Sequence, residues 1–289
     1  MADAITGMVL RNRIKFGPKI RHRRPKKWLF PHNAEKALQE RALKTVDIIA
    51  ALAREMLFPK LKQLAAEASR MRGDSWVDDL DGLSANLRNQ IDLKAPDEKA
   101  TASTAAQSVS DFNAKEWRSV VKKSIGIDIF TPEPWLRDEL KSWSKETASL
   151  ISTLEDDAVK QVALWTSRGI RQGWRWEDIA KNIEDKFDVS RNRARFIARD
   201  QVAKLNGDLT QRRQTQTGVT HYFWRDSRDE RVRGNPGGLY PKARPSHWAR
   251  NGQRFAWDDA PEGGHPGQDY NCRCTAEPDL RGLLEAADS

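Results

Sequence analysis

At Gly218 the character of this chain changes, and that change limits what it can fold into. Before it, apolar residues recur at intervals of three and four. From Val219 onward, β-prone and turn-prone residues take over. Leu38, Ala42, Val46, Ile49, Ala53 and Met56 mark an amphipathic helix that Asn33 can cap, that Pro59 interrupts, and that resumes through Leu61 and Leu64. The stretch "APDEKATASTAAQS" (95–108) has few bulky apolar residues and reads as a linker or a frayed helix. Helical signals return at Asp111. Pro132 and Pro134 open a segment carrying Trp135, Leu136, Leu140 and Trp143, and Leu150, Leu154, Val159 and Val162 continue its pattern. "WEDIAKNIEDKF" is a short amphipathic helix. Ser190 then caps "RNRARFIARDQVAKLNGDLTQRRQTQT", which Gly218 ends.

Beyond Val219, "THYFWRDSRDERVRG" suits a strand and turns, and Gly, Pro and Asp dominate residues 234–269. The expected fold class is therefore α+β: a mostly helical N-terminal two thirds followed by a small, loop-rich α+β end domain. The expected division is a basic arm over 1–32, a helical region over 33–109 with its linker near 95–108, and a helical domain over 110–218. The end domain follows over 219–280, and a tail over 281–289.

The net charge of +9 belongs to the arm. Residues 1–27 hold nine of the 50 Lys/Arg (Arg11, Arg13, Lys15, Lys19, Arg21, Arg23, Arg24, Lys26 and Lys27) against one of the 41 acids, Asp3. That leaves a near-balanced 41 and 40 for the rest. Such an arm, broken by Pro18, Pro25 and Pro31, cannot build a core and is expected to be disordered or ordered by a partner. Phosphates could hold it by counterion release. The interleaved Ile14, Phe16, Ile20, Trp28 and Phe30 favour docking on protein. The first residues lack an apolar stretch followed by a small-residue cleavage site, and the longest apolar run, around 48–53, is too short to cross a bilayer. Cytosolic synthesis and no membrane association are expected.

Both cysteines fall in "DYNCRC", at Cys272 and Cys274. A cytosolic origin and the strain of so small a ring argue against a disulfide. Same-face thiolates suit zinc, and His247 and His265 lie in the same loop-rich region, so Cys272, Cys274, His247 and His265 are the candidate ligands of a structural zinc. The spacing is not a paired CxxC, and the favoured account is two small buried hydrophobes at a tight chain crossing, with no cofactor.

"RDSRDERVR" places Asp226, Asp229, Glu230, Arg231 and Arg233 just after the strand. With His247 and the pair Asp258–Asp259 it has the residue types of metal-assisted hydrolysis, Asp226 and Asp229 as ligands and His247 as base. No Gly-rich phosphate loop, nucleophile elbow or HExxH accompanies it. Arginine–carboxylate pairing that holds the loops is favoured over catalysis, and no residue is assigned as catalytic. On the preceding helix, Arg191, Arg193, Arg195, Arg199, Arg212 and Arg213 could face DNA. A solvated basic face with pairing to Asp200 and Asp208 is favoured, over an apolar face of Ala194, Ile197, Ala198, Val202 and Leu205.

Four segments in order give the chain a resemblance: "RARFIARDQ" on a helix, "YFWRDSRDERVR" after it, then "HWARNGQRFAWDDAP" and "PGQDYNCRCTAEP". Together they resemble the phage Mu F-like minor head protein family, also called the phage head morphogenesis family, over about residues 110–278. The positions that carry the resemblance are Arg195, Arg199 and Asp200, then Asp226, Asp229, Arg231 and Arg233. His247, Gly252, Phe255, Asp258 and Asp259 follow, and Cys272, Arg273 and Cys274 close the series. "GNPGGLYPKARPS" (234–246) is longer than the family's usual gap. The resemblance implies a low-copy structural protein of a tailed-phage head, located in the virion at the portal vertex or head interior and made in the host cytoplasm. Its implied partners are the portal protein and major capsid or scaffold proteins, with packaged double-stranded DNA reached through the arm. A metal-dependent nuclease-like enzyme and a sequence-neutral DNA-binding internal head protein are the alternatives.

Overall fold

A computed structural model describes residues 28–70, 75–126, 128 and 130–281. All nine basic residues of the arm lie outside the described residues, as does the tail beyond Arg281. The described helices are α1 (His32–Leu52), α2 (Phe58–Arg70), α3 (Ser75–Lys94), α4 (Glu98–Ile125), α5 (Leu136–Arg171), α6 (Trp176–Gln216) and the single turn α7 (His247–Arg250). Three short strands follow α6: β1 (His221–Arg225), β2 (Arg254–Ala256) and β3 (Thr275–Pro278). The chain is mostly helical with a small α+β part, as its periodicity predicts.

Three local expectations change. Pro59 does not break the first helix, because Ala53–Leu57 widen into a π turn in which Phe58 N–H donates to the Ala53 carbonyl. A proline cannot donate and its ring collides with the carbonyl four residues back, and one wider turn absorbs both problems. Residues 98–108, expected as linker or frayed end, belong to α4, with Thr101, Ala102, Ala106 and Val109 buried. Small residues here allow close packing, and alanine is the best helix former. Ser190 does not cap a helix: α6 runs through it, and its hydroxyl donates to the Lys186 carbonyl at 3.1 Å.

The described residues group into two units. One contains residues 35–104 and 141–199. Its core joins Ile49, Leu57, Leu61, Leu87, Ile91, Val162, Ile179, Ile183 and Phe187. A second cluster brings Ala42, Val46, Leu154 and Ala194 together. Three arginines of α6 in this unit pair with carboxylates of other helices: Arg191 with Asp47 at 2.9 Å as well as with Asp188 of α6 itself at 2.9 Å, Arg193 with Asp157, and Arg199 with Glu35 at 3.7 Å. Arg195 bonds Asn192 at 3.0 Å.

The other unit contains residues 28–34, 105–140 and 200–281. Trp28 and Phe30, expected on the arm as docking residues, are buried in it, Trp28 against Trp117 with ring centroids 6.1 Å apart. Arg212 pairs with Glu139 at 2.8 Å, and Arg213 is buried. The pairing of the α6 arginines to Asp200 and Asp208 read from the sequence is replaced by these partners. The predicted apolar face of α6 is buried at all five of its positions.

Candidate functional site

The sheet is antiparallel in the order β2-β1-β3, so the first strand in sequence is the central one. Tyr222 pairs with Phe255 on one side and with Pro278 on the other. Burial alternates along β1, turning Tyr222 and Trp224 inward onto Trp257, Cys272, Cys274 and Ala276. Gln214, near the end of α6, fastens the two ends of this core. Its amide donates to the Ala276 carbonyl at 2.8 Å and accepts from the Trp257 indole at 3.1 Å.

The loop before β3 lies directly on α6. A Cβ on Gly207 would stand 2.6 Å from the Pro266 carbonyl oxygen, and one on Gly267 would stand 2.6 Å from the Ala203 carbonyl oxygen. Glycine at both positions is what permits this backbone-on-backbone approach. Asp200 extends the attachment by accepting from the Asn271 N–H at 2.8 Å, while its other oxygen pairs with Lys204 at 2.7 Å.

This docking brings three chemically capable side chains together. His247, Cys272 and Cys274 are all buried, and one ligand atom from each lies within 4.8 Å of the others. His247 Nδ1 is 3.5 Å from the Cys272 sulfur and 3.6 Å from the Cys274 sulfur. Its Nε2 stands 3.2 Å from Asp269. Asp269 is fixed in turn by Arg233 and by the Tyr270 N–H at 2.6 Å. Both cysteines are free thiols. Cys272 is the more acidic: the Cys274 thiol, His247 and the Gly267 N–H all favour its thiolate against the effect of burial. Burial and the neighbouring sulfur push Cys274 well up. An imidazole and two thiols are donor types of zinc.

His265 does not join them. Its Nδ1 meets the Tyr222 hydroxyl at 3.0 Å, and its ring packs against Trp257 with centroids 4.9 Å apart. Burial lowers its pKa and favours the neutral ring. Both histidines come from stretches of similar composition, so spacing alone could not distinguish them.

The charged residues expected as an acid–base cluster separate into pairs. Asp229 accepts from the Arg231 N–H at 2.9 Å and from Arg273 at 3.5 Å. Asp258 and Asp259 are exposed. Asp226 is buried, and its charge adds to the raised Cys274 pKa. Gly252 donates its N–H to the Trp224 carbonyl at 2.8 Å, and Phe255 lies on β2 with its ring 5.8 Å from that of Trp224. Three residues of this site were not singled out from the sequence: Asp269, Gln214 and Glu277. Asp269 opens "DYNCRC", three positions before Cys272, the one local signal for it. Glu277 forms a two-bond pair with Arg225 at 2.8 and 2.9 Å across β1 and β3.

Residues 160–277 match the family described as Phage Mu protein F like protein. This part of the chain is similar to that family. The match covers the last third of α5, all of α6 and the sheet up to Glu277, and it includes His247, Asp269 and both cysteines. A second similarity covers more of the chain than this match does. An uncharacterized protein of Haemophilus influenzae is 28% identical over 222 residues, covering 72% of this chain and 47% of the relative. The chain thus spans about half the length of that relative. No solved structure matches the present chain.

Proposed function

We propose that this protein is a minor head protein of a tailed bacteriophage, held at the portal vertex and acting in head morphogenesis. The observation that carries this reading is the Mu F-like match over residues 160–277. The build of that region supports a structural role. Its arginines and carboxylates are engaged with each other: Arg225 with Glu277, Arg233 with Asp269, and Arg254 with Asp279 at 2.7 Å. Such pairs hold loops in place where regular structure is sparse.

The hydrolytic alternative needs Asp226, Asp229 and His247 around one reacting centre. Asp229 instead faces Arg273, and His247 faces two sulfurs. The portal vertex supplies the partner surface in this reading, and the basic arm supplies the attachment, with packaged DNA as a secondary contact.

The test is to purify heads assembled with and without this chain and analyse them by mass spectrometry and cryo-electron microscopy. The expected result is a low copy number confined to the portal vertex, with defective heads when the chain is missing. Complete, infective heads that never contain it would overturn the assignment.

A further inference from the structure

We propose that His247, Cys272 and Cys274 bind one zinc ion, with Asp226 as the fourth donor, and that this ion fastens the loops of the end domain to the sheet. The inference is independent of the phage reading, since it rests on donor geometry alone.

Zinc binds thiolate sulfur at about 2.3 Å and imidazole nitrogen at about 2.0–2.1 Å, so tetrahedral angles set nitrogen–sulfur separations of roughly 3.5 Å. His247 Nδ1 stands 3.5 Å from one sulfur and 3.6 Å from the other. Two buried hydrophobic cysteines at a chain crossing would not need one ring nitrogen aimed at both sulfurs.

The surroundings agree with the donors. A metal-bound histidine gives its second N–H to a carboxylate or carbonyl, which fixes the ring and its tautomer. His247 Nε2 stands 3.2 Å from Asp269 outside hydrogen-bond geometry, so a small ring rotation would let that carboxylate, which Arg233 holds, take the role. The Cys274 N–H points at the Cys272 sulfur at 3.4 Å, a contact that favours the deprotonated ligand. Trp224 covers the histidine, with ring centroids 5.1 Å apart.

Topology gives the ion its role. Asp226 directly follows β1, His247 begins α7, and the cysteines lead into β3. One ion would therefore join three stretches whose own secondary structure is slight, and its binding free energy would become folding free energy. Asp226 is buried two residues beyond Trp224, which packs with both cysteines, and since it lies outside the 4.8 Å group it would have to swing in to serve as the fourth ligand.

The full chain should be purified without chelator and its zinc measured by mass spectrometry. About one zinc per chain is expected, lost in Cys272→Ser, Cys274→Ser and His247→Gln and kept in His265→Gln. Because the ligand variants could fail to fold, the wild-type chain provides a second readout. Replacing zinc with cobalt(II) should give an intense tetrahedral spectrum with a sulfur-to-cobalt charge-transfer band, and Asp226→Asn should shift it. A strong chelator should lower the melting temperature of the wild-type chain, and added zinc should restore it. The proposal fails if wild-type protein refolded with excess zinc retains none, if cobalt gives no charge-transfer band, or if the cysteine variants keep full zinc. An unchanged cobalt spectrum in Asp226→Asn would remove Asp226 from the ligand set.

Discussion

Arg213 and Glu133 form a two-bond ion pair, Nε to Oε1 at 2.6 Å and Nη2 to Oε2 at 2.8 Å, with the arginine side chain 2% exposed. The remaining guanidinium donors reach the Asn113 side chain at 2.8 Å and the Ser110 carbonyl at 3.2 Å. Every side of this buried cation is thus engaged, and it joins the end of α6 to α4 and to the segment before α5.

Breaking the pair should be costly. Arg213→Met leaves a carboxylate and a buried amide without their donor, and we expect a loss of about 3 kcal/mol by urea denaturation. Arg213→Lys should recover little of it, because an ammonium cannot reproduce the planar fork. A loss below about 1 kcal/mol for Arg213→Met would show that the network contributes no more than a surface pair.

Glu155 should make the other unit less stable as pH rises. Burial, then the charge of Glu98, pushes its pKa from 4.5 up to about 7, and Arg88 opposes the shift. Below pH 4.5 the carboxyl is protonated in both folded and unfolded chains and has no effect. Between 4.5 and 7 the unfolded chain ionises first, so stability falls, by on the order of 3 kcal/mol at most once pH exceeds the folded value. Glu155→Gln should remove this slope, matching wild type near pH 4 and exceeding it at pH 8 in denaturant titrations. A parallel pH profile in the variant would refute the assignment.

Gly207 should tolerate no side chain. Its Cβ would meet a backbone oxygen, which cannot rotate away, so Gly207→Ala should cost roughly 1–3 kcal/mol by pushing the loop off α6. Gly237→Ala is the control, because its Cβ meets only the Asn235 Oδ1 at 3.9 Å. Similar melting temperatures for the two variants would disprove the close approach.

The arm should be separable from the fold. Removing residues 1–27 deletes nine basic residues yet keeps Trp28 and Phe30, which belong to the core. The truncated chain should melt like the full chain and fail to enter heads. Normal incorporation would refute the attachment role.

Much of this architecture was legible in the sequence. The buried face of α6 follows directly from apolar spacing, and β1 follows from its β-prone run and alternation. Small side chains misled at 98–108, since alanine and serine are read as linker unless the neighbouring helix is known. Beyond the local Arg191–Asp188 contact, the partners of Arg191, Arg193 and Arg213 lie outside α6, as with Asp47, Asp157 and Glu133. Local pairing rules could not find them. The cluster of His247, Cys272 and Cys274 was half legible: donor types and region were visible, but which histidine faces the sulfurs depends on tertiary packing, which spacing does not carry.

The order of the sheet bears on how the chain is made. Synthesis delivers β1 first, yet β1 is the strand that needs both neighbours, and its far edge is filled only by residues 275–278. A nascent chain that has completed its helices still presents β1 with open hydrogen-bonding edges, together with Tyr222 and Trp224. Closure therefore waits for the ribosome to pass Pro278. A chain stopped before that point keeps one edge of β1 exposed, a strand edge ready to pair with another chain.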